Sequence, residues 1–171
     1  MNIKKLKDKN LYLKSLPISD SEFGKDLDKC MSDMAELCFA NQGIGLSGNQ
    51  VGILKRILIV DLGYVIGKNY GEDFIKIVNP EIISQNDKQL LSEEGCLSFP
   101  ELAVRVSRPE NIVLKYQDPY GNFIQREFAD WQARIILHEI DHLNAITLYS
   151  RASTLIRNRY DKRMKKNTYD M

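Results

Sequence analysis

The 171-residue chain has few cysteines, few histidines and no long apolar run. Its three cysteines cannot all pair with one another, so we interpret them as thiols, which suits a reducing compartment. No apolar stretch approaches the roughly 20 residues of a membrane-spanning helix, and the amino-terminal lysines are not followed by the apolar segment of a secretory signal. The composition, 43% apolar and 27% charged, excludes a disordered chain and a fibre. We therefore expect residues 1–171 to be one domain in a reducing cytoplasm, and we disfavour import into an organelle.

The net charge of +1 conceals an uneven distribution of charge along the chain. Residues 1–14 carry five lysines and one aspartate, and residues 151–171 carry seven lysines or arginines and two aspartates. These ends are therefore at +4 and +5, and the part between them is at −8. An acidic body argues against specific DNA binding, whereas the basic ends could either contact nucleic acid or remain solvated.

Hydrophobic periodicity predicts helices separated by a group of strands. Apolar residues spaced by three and four, from Phe23 to Cys38, predict an amphipathic amino-terminal helix that buries both Cys30 and Cys38. Asn79-Pro80 is expected to end a strand, and a five-residue polar loop at 118–122 predicts a hairpin. The order lacks regular β-α alternation, so the fold class is α+β. The predicted helices are 21–41, 129–143 and 152–166, and the predicted strands are 55–62, 74–78, 112–116 and 123–128.

The two histidines of the chain lie four residues apart in the motif HEIDH, at His138 and His142. Side chains at positions i and i+4 of a helix lie about 40° apart on one face, so two imidazoles can bind one metal ion. Glu139 is rotated by about 100° from His138, which suits contact with a metal-activated water better than direct ligation. The alternative is a pair of surface histidines beside a solvated acid. The apolar flanks favour a buried helix, where unpaired imidazoles are costly, so we predict a metal site.

A third metal ligand is less evident. No glutamate follows Glu139 and no third histidine exists, which excludes two common ligand patterns, and Asp161 lies on a basic helix. Cys96, in the turn EEGCLSFP, would complete a three-ligand site with one open position. Spacing alone favours this role and a buried structural thiol equally.

Three segments in this order resemble the peptide deformylase family: GIGLSGNQVG at 43–52, EGCLS at 94–98, and HEIDH. The resemblance extends from about Met31 to Tyr149, and three ordered motifs are more specific than any one of them. It implies antiparallel or mixed β-sheets packed around a central helix that carries the HExxH motif. An amino-terminal amphipathic helix and a carboxy-terminal helix would complete this fold.

The resemblance also implies an activity, removal of the formyl group from the amino-terminal formylmethionine of nascent polypeptides. It implies an Fe²⁺ cofactor, which Zn²⁺, Ni²⁺ or Co²⁺ could replace, and docking to the ribosome through the basic helix 152–166. The implied metal ligands are Cys96, His138 and His142. The implied catalytic groups are Glu139, as the general acid and base, together with Gln50 and the backbone N–H of Leu97, which would donate to the oxyanion. The implied substrate-binding residues are Ile44, Gly45 and Gly95.

The chain departs from the family pattern at several positions. Ser47-Gly48 stands where Ala-Ala is usual, Leu137 where glutamine is usual, and Ala145 where glycine is usual. The amino-terminal PDPxLR-like signature is absent. Each predicted ligand is nevertheless present. Two alternatives therefore remain open: an HExxH amidase or peptidase that acts on another small amide, and a weakly active or non-catalytic protein that binds a metal or a peptide.

Three further side chains receive structural predictions. Asp141 could hold either a histidine or an arginine, and Glu94 could pair with Arg105 or Arg108. Trp131, the only tryptophan, is expected to belong to the core.

Overall fold

The computed structural model describes residues 1–64, 67 and 71–169, with side chains through residue 166. The described residues form seven strands and four α-helices, together with short 3₁₀ turns. The strands are β1 (Gly45–Ser47), β2 (Ile57–Asp61), β3 (Phe74–Gln85), β4 (Gln89–Glu94), β5 (Val104–Pro109), β6 (Asn111–Gln117) and β7 (Phe123–Ala129), and the helices are α1 (Lys25–Ala40), α2 (Asp130–Leu143), α3 (Leu148–Arg151) and α4 (Thr154–Tyr169).

The strands form two antiparallel sheets. The larger sheet has the order β1-β2-β3-β6-β7, and β4 pairs only with β5 in a separate two-stranded sheet. The α+β prediction is confirmed. The β6–β7 hairpin has the predicted loop at 118–122, where the Asp118 carboxylate accepts the backbone N–H groups of Tyr120 and Asn122.

The prediction that Asn79-Pro80 ends a strand is wrong, because β3 continues through this pair to Gln85. The register against β6 is irregular between Val78 and Glu81, which is where a strand tolerates a proline that lacks an N–H. Asn79 adopts φ 49°, and its side-chain amide bonds both the N–H and the C=O of Ile18. These two hydrogen bonds hold the irregular segment against the amino-terminal part of the chain.

Helix α1 lies within the predicted span, and a 3₁₀ turn at Asp20–Glu22 precedes it. Its buried stripe includes Leu27, Met31, Met34 and Cys38, as the spacing predicts. Cys30 is only half-buried, because it lies at the edge of this stripe, so the prediction of full burial holds for Cys38 alone. All three cysteines are free thiols.

Helix α2 is the central helix of the fold, and ten of its fourteen residues are buried. Ile136, Ile140 and Leu143 pack against the inner face of the large sheet, in one cluster with Leu58 and Leu114. His138 and His142 are 9% and 1% exposed, which excludes the alternative of two surface histidines. Burial of this helix on nearly every face places four titratable side chains inside the protein, and each of them needs a partner or a neutral form.

The carboxy-terminal helix α4 begins and ends two to three residues after its predicted limits. Its Tyr160 is 2% exposed and shares a core cluster with Phe99 and with Leu11 from the amino-terminal segment. Among the helices that the structure describes, none combines the length and the apolar character needed to cross a lipid bilayer.

Candidate active site

Two side chains of α2 meet a third side chain from a distant part of the sequence. Ligand atoms of Cys96, His138 and His142 all lie within 4.8 Å of one another, and the Cys96 Sγ is 3.2 Å from the His142 Nε2. Neighbouring ligand atoms in a tetrahedral site with one sulfur and two nitrogens lie about 3.4 to 3.6 Å apart, from the usual metal–ligand lengths. The observed separations therefore suit a single metal ion. The histidines are one helical turn apart, and Cys96 follows the end of β4 by two residues.

His138 is oriented by Glu94. The His138 Nδ1 lies 3.0 Å from the Glu94 Oε2, and since a carboxylate only accepts, this nitrogen carries the proton and Nε2 is the ring nitrogen left to face Cys96 and His142. Burial alone would raise the pKa of Glu94, but hydrogen bonds from Arg108 and His138 outweigh burial and lower the pKa to about 2. Glu94 is therefore ionised at neutral pH.

Glu94 is the centre of a buried ionic network. Its carboxylate accepts from the Arg108 Nε at 2.7 Å and Nη2 at 2.9 Å, and from the Arg134 Nη1 at 2.7 Å. Arg108 also donates to the Asp141 Oδ2 at 2.9 Å, and Asp141 accepts two further bonds of 2.7 Å from Arg151. Four donors satisfy Glu94, so the buried charge is compensated and the position of the carboxylate is fixed.

This network decides the open predictions about Glu94 and Asp141. Glu94 pairs with Arg108 and not with Arg105, because alternate residues of β5 face opposite sides and Arg105 points outward. Asp141 holds two arginines and contacts neither histidine through the bonds observed. Arg134 and Arg151 were not predicted. The position of Arg134 within the apolar pattern of α2 could have indicated a buried ion pair.

The second histidine of the cluster, His142, is neutral because of its surroundings. Burial lowers the pKa of His142 well below its ordinary value, and the nearby His138 and Arg108 add to this shift. The ring is consequently neutral, the form in which histidine binds a metal. Its backbone carbonyl accepts a hydrogen bond from the Asn49 side chain, which connects the turn at Gly48–Val51 to the end of α2.

Glu139 is 3% exposed and directly follows His138 on α2. Burial raises its pKa to about 7, and within the described part of the chain its Oε2 has no hydrogen-bond partner. A Cβ at Gly45 would lie 2.7 Å from the Glu139 Oε1 and 2.9 Å from the Ile135 Cγ2. Position 45 therefore needs glycine, because the Glu139 side chain occupies the space that a larger residue would fill.

Gln50 reaches the same group of residues from the Gly48–Val51 turn. Its Nε2 donates to the Ser98 Oγ at 3.2 Å and to the Cys96 Sγ at 3.5 Å. Its Oε1 accepts from the backbone N–H of Ser47 at 2.9 Å and from the Ser47 Oγ at 2.8 Å. The two serine donors fix the orientation of the amide, so its NH₂ group faces the Cys96–Ser98 turn that contains Leu97.

A cavity of about 370 Å³ opens at this point. Its lining includes every predicted site residue except His142: Ile44, Gly45, Gln50, Gly95, Cys96, Leu97, His138 and Glu139. Ile135, Arg134 and Gln42 also line it and were not predicted. Trp131 is a further lining residue and is 45% exposed, so the prediction that it belongs to the core is wrong. It lies in the first turn of α2, and the centre of its ring is 5.8 Å from the Cζ of the Arg134 guanidinium.

A thiol and two imidazoles that converge beside a buried carboxylate, in an α+β fold, define the class of single-metal hydrolase sites. The family model described as "Polypeptide deformylase" matches residues 1–158. The chain belongs to this polypeptide deformylase family, so the resemblance noted in the sequence is confirmed. The family is metal-dependent, and the Cys96, His138 and His142 cluster offers it a metal site.

Individual relatives agree with this assignment. The chain is 38% identical over 161 residues to peptide deformylase 1 of Rickettsia conorii, covering 93% of this chain and 91% of the relative. It is 38% identical over 165 residues to the peptide deformylase of Thermodesulfovibrio yellowstonii, covering 96% of each. The crystal structure of peptide deformylase from Ehrlichia chaffeensis matches with a TM-score of 0.87 at 32% identity, over 99% of this chain and 97% of that one.

Proposed function

We propose that this protein hydrolyses the N-formyl group from the amino-terminal formylmethionine of nascent polypeptides. The observation that carries the proposal is the convergence of the Cys96 thiol with two imidazoles and the buried Glu139 at one open cavity. Membership of the polypeptide deformylase family supports the reaction and the substrate class.

Cys96, His138 and His142 would hold one divalent cation. The 3.2 Å separation of Cys96 and His142, the neutral His142 ring and the His138 tautomer set by Glu94 all support this ligand set. When bound, such a cation lowers the pKa of water to about 7 and polarises a carbonyl oxygen. We propose Fe²⁺ as the cellular metal, with Zn²⁺, Ni²⁺ or Co²⁺ as substitutes, because thiolate and imidazole accept all of these ions.

Glu139 would act as the general acid and base. Its Oε2 would take a proton from the attacking water and deliver it to the amine that leaves as the formyl C–N bond breaks. Two observations support this role: the oxygen is buried without a hydrogen-bond partner in the described residues, and the pKa of about 7 allows both protonation states near neutral pH.

Gln50 and the backbone N–H of Leu97 would stabilise negative charge on the formyl oxygen. The Gln50 amide is pre-oriented by Ser47, so it loses little freedom when charge develops. A donor of this kind contributes about 3 kcal/mol to lowering the barrier.

Ile44, Gly45 and Gly95 would line the groove for the peptide. These three residues lie on the cavity wall, and Ile135 and Trp131 extend the same wall with apolar surface that suits a methionyl side chain. The missing side chain at Gly95, where a Cβ would meet nothing within 4 Å, would allow an extended peptide to approach the backbone closely.

Formate release from formyl-Met-Ala by protein loaded with Fe²⁺ under anaerobic conditions tests the proposal. We expect formate release from this peptide and none of the corresponding acetate release from acetyl-Met-Ala. Protein that binds one equivalent of metal yet releases no formate would overturn the assignment. Preferential cleavage of the acetylated peptide or of internal peptide bonds would instead identify an amidase or peptidase of another specificity.

We further propose that the chain docks to the ribosome through α4, in a bacterial-type cytoplasm where formylated nascent chains are made. Lys162, Lys165 and Lys166 are exposed on this helix, and such a cluster attracts a nucleic-acid backbone in a salt-dependent manner. Reversal of these three charges to glutamate should abolish co-sedimentation with ribosomes, whereas reversal of the exposed Lys7 and Lys9 should not. Binding that is insensitive to salt would contradict this proposal.

Residues 1–171 would act as one catalytic domain. Leu11 from the amino-terminal segment, Phe99 from the turn after Cys96 and Tyr160 from α4 share a single core cluster, which supports one cooperative unit.

A further inference from the structure

The amino-terminal segment contacts both turns that carry the proposed oxyanion donors. The backbone N–H of Lys4 donates to the carbonyl oxygen of Gln50 at 2.7 Å. The Lys5 Nζ donates to the carbonyl oxygen of Leu97 at 2.7 Å. We name Lys4 and Lys5 the amino-terminal clamp, because two consecutive residues bind the backbones of two turns that lie 47 positions apart in the sequence.

The clamp is anchored on both sides. On one side, the Lys4 Cε lies 3.0 Å from the place where a Cβ of Gly52 would stand, so Lys4 crosses the end of the Gly48–Val51 turn. On the other side, Leu11 is fully buried in the cluster that contains Phe99, and Leu6 and Cys96 pack against this cluster. The backbone of residues 4 and 5 is therefore held in place relative to both turns.

The two turns also contact one another at the cavity. The Gln50 Nε2 donates to the Ser98 Oγ at 3.2 Å and to the Cys96 Sγ at 3.5 Å. These are weak interactions, and a substrate oxygen that accepts from Gln50 would compete with them. When Gln50 donates to the substrate, the two hydrogen bonds of the clamp remain. Among the hydrogen bonds observed in the described residues, they are then the ones that connect the two turns.

We propose that Lys4 and Lys5 are positioning residues that hold the Gln50 amide and the Leu97 N–H at a fixed separation for the formyl oxygen. The inference rests on the proposed function. Donors lower a barrier only when they are already aimed at the place where charge develops, so a loose turn loses transition-state stabilisation before it loses substrate binding. The cationic Lys5 makes a stronger hydrogen bond to the Leu97 carbonyl than a neutral donor would.

Replacement of Lys5 isolates this effect from folding. The side chain is exposed, and its Nζ makes one hydrogen bond among those observed, so Lys5→Met should leave the unfolding temperature nearly unchanged. Lys5→Arg retains a cationic donor of similar reach. Lys7→Met is the matched control, because Lys7 is also exposed and lies in the same segment without an observed bond to either turn.

The kinetic experiment compares these three variants with the wild type on formyl-Met-Ala, with metal content measured for each. We expect Lys5→Met to lower kcat about fivefold with KM within about twofold, because a loosened turn weakens a donor that acts mainly on the charge of the transition state. Lys5→Arg should recover kcat to within about twofold, and Lys7→Met should match the wild type. An unchanged kcat in Lys5→Met, or an equal loss in Lys7→Met, would overturn the inference.

Hydrogen exchange supplies a readout that does not depend on activity. Amides in peptides that span 95–99 should exchange faster in Lys5→Met than in the wild type or in Lys7→Met, since one hydrogen bond that restrains this turn is lost. Equal exchange in all three proteins would also overturn the inference. A wild type without formate release would refute the proposed function, whereas the exchange comparison would still decide whether the clamp restrains the turn.

Discussion

The imidazole of His138 and the carboxylate of Glu94 are joined by a hydrogen bond of 3.0 Å that fixes which ring nitrogen faces Cys96 and His142. Glu94 in turn is held by Arg108 and Arg134, both of which are buried. The orientation of His138 in the proposed metal site therefore depends on charged groups that do not contact its Nε2.

Glu94→Gln should weaken metal binding by about 10- to 100-fold, the usual effect of losing a carboxylate that orients a metal-binding histidine. The neutral amide also leaves two buried guanidinium groups less compensated. Competition with a chromogenic chelator measures the affinity. Glu93→Gln is the matched control, because Glu93 is adjacent and exposed, and its affinity should equal that of the wild type.

The same carboxylate should make the metal-free protein sensitive to acid. The pKa of Glu94 is about 2 in the folded protein and near 4.5 ordinarily, so its stabilising contribution is complete above the ordinary value. It is lost as the pH falls from about 4.5 through 2, and it amounts to about 3 kcal/mol. Urea unfolding at a series of pH values should show this decline in the wild type and a flatter profile in Glu94→Gln. Parallel profiles would contradict the assignment.

Glu139→Gln should lower turnover by about 10²- to 10⁴-fold, because the amide cannot accept the proton of the attacking water. The substitution keeps the size of the side chain, and the three proposed ligands are unchanged, so metal content should stay at one equivalent. Formate release and metal analysis on the same preparation check both statements. A loss of metal along with activity would argue against the acid/base role.

Thiol chemistry tests the ligand role of Cys96. Bound Zn²⁺ should protect Cys96 from iodoacetamide, whereas the half-buried Cys30 should react equally with and without metal. Cys38 should stay unmodified in the folded protein, because it is fully buried and burial raises the pKa of its thiol. Mass spectrometry of peptides locates each modification. Equal labelling of Cys96 in both states would remove it from the ligand set.

Two glycines of the cavity wall should respond differently to alanine. Gly45→Ala should cost about 1 to 3 kcal/mol of stability, since the new Cβ would lie 2.7 Å from the Glu139 Oε1. Gly95→Ala introduces a methyl group with nothing within 4 Å and should change stability by less than about 0.5 kcal/mol. Chemical denaturation of the two variants provides the comparison. Equal stabilities would show that position 45 can relax.

The sequence predicted α2 and its two histidines well, because the periodicity and the apolar flanks of the motif are local signals. It could not decide between a ligand and a structural thiol at Cys96, since that choice depends on the path of the chain between residues 96 and 138. Strands β4 and β5 were missed, although β5 alternates buried and exposed residues from Val104 to Arg108, which is a local strand signal. Trp131 was assigned to the core from residue type alone, whereas it is the second residue of α2, lines the cavity and is 45% exposed.

The contacts of the amino-terminal clamp also escape sequence reasoning. One of them uses a backbone N–H, which every residue except proline has, and the other uses a lysine in a run of lysines. Side-chain type therefore gives no indication of either bond. Only the tertiary position of this segment, set by the burial of Leu11, brings it to the two turns.

Glu94 ends β4 and Cys96 follows two residues later. One short segment therefore contains both the Cys96 sulfur and the carboxylate that orients His138. Because β4 and β5 pair with each other and not with the larger sheet, Arg108 and Arg134 tether this ribbon to α2 by ionic contacts. A tilt of the β4–β5 sheet would therefore move the Cys96 sulfur and the Glu94 carboxylate together. A substitution that shifts this two-stranded sheet would consequently change the shape of the cavity and the position of the Cys96 sulfur at the same time.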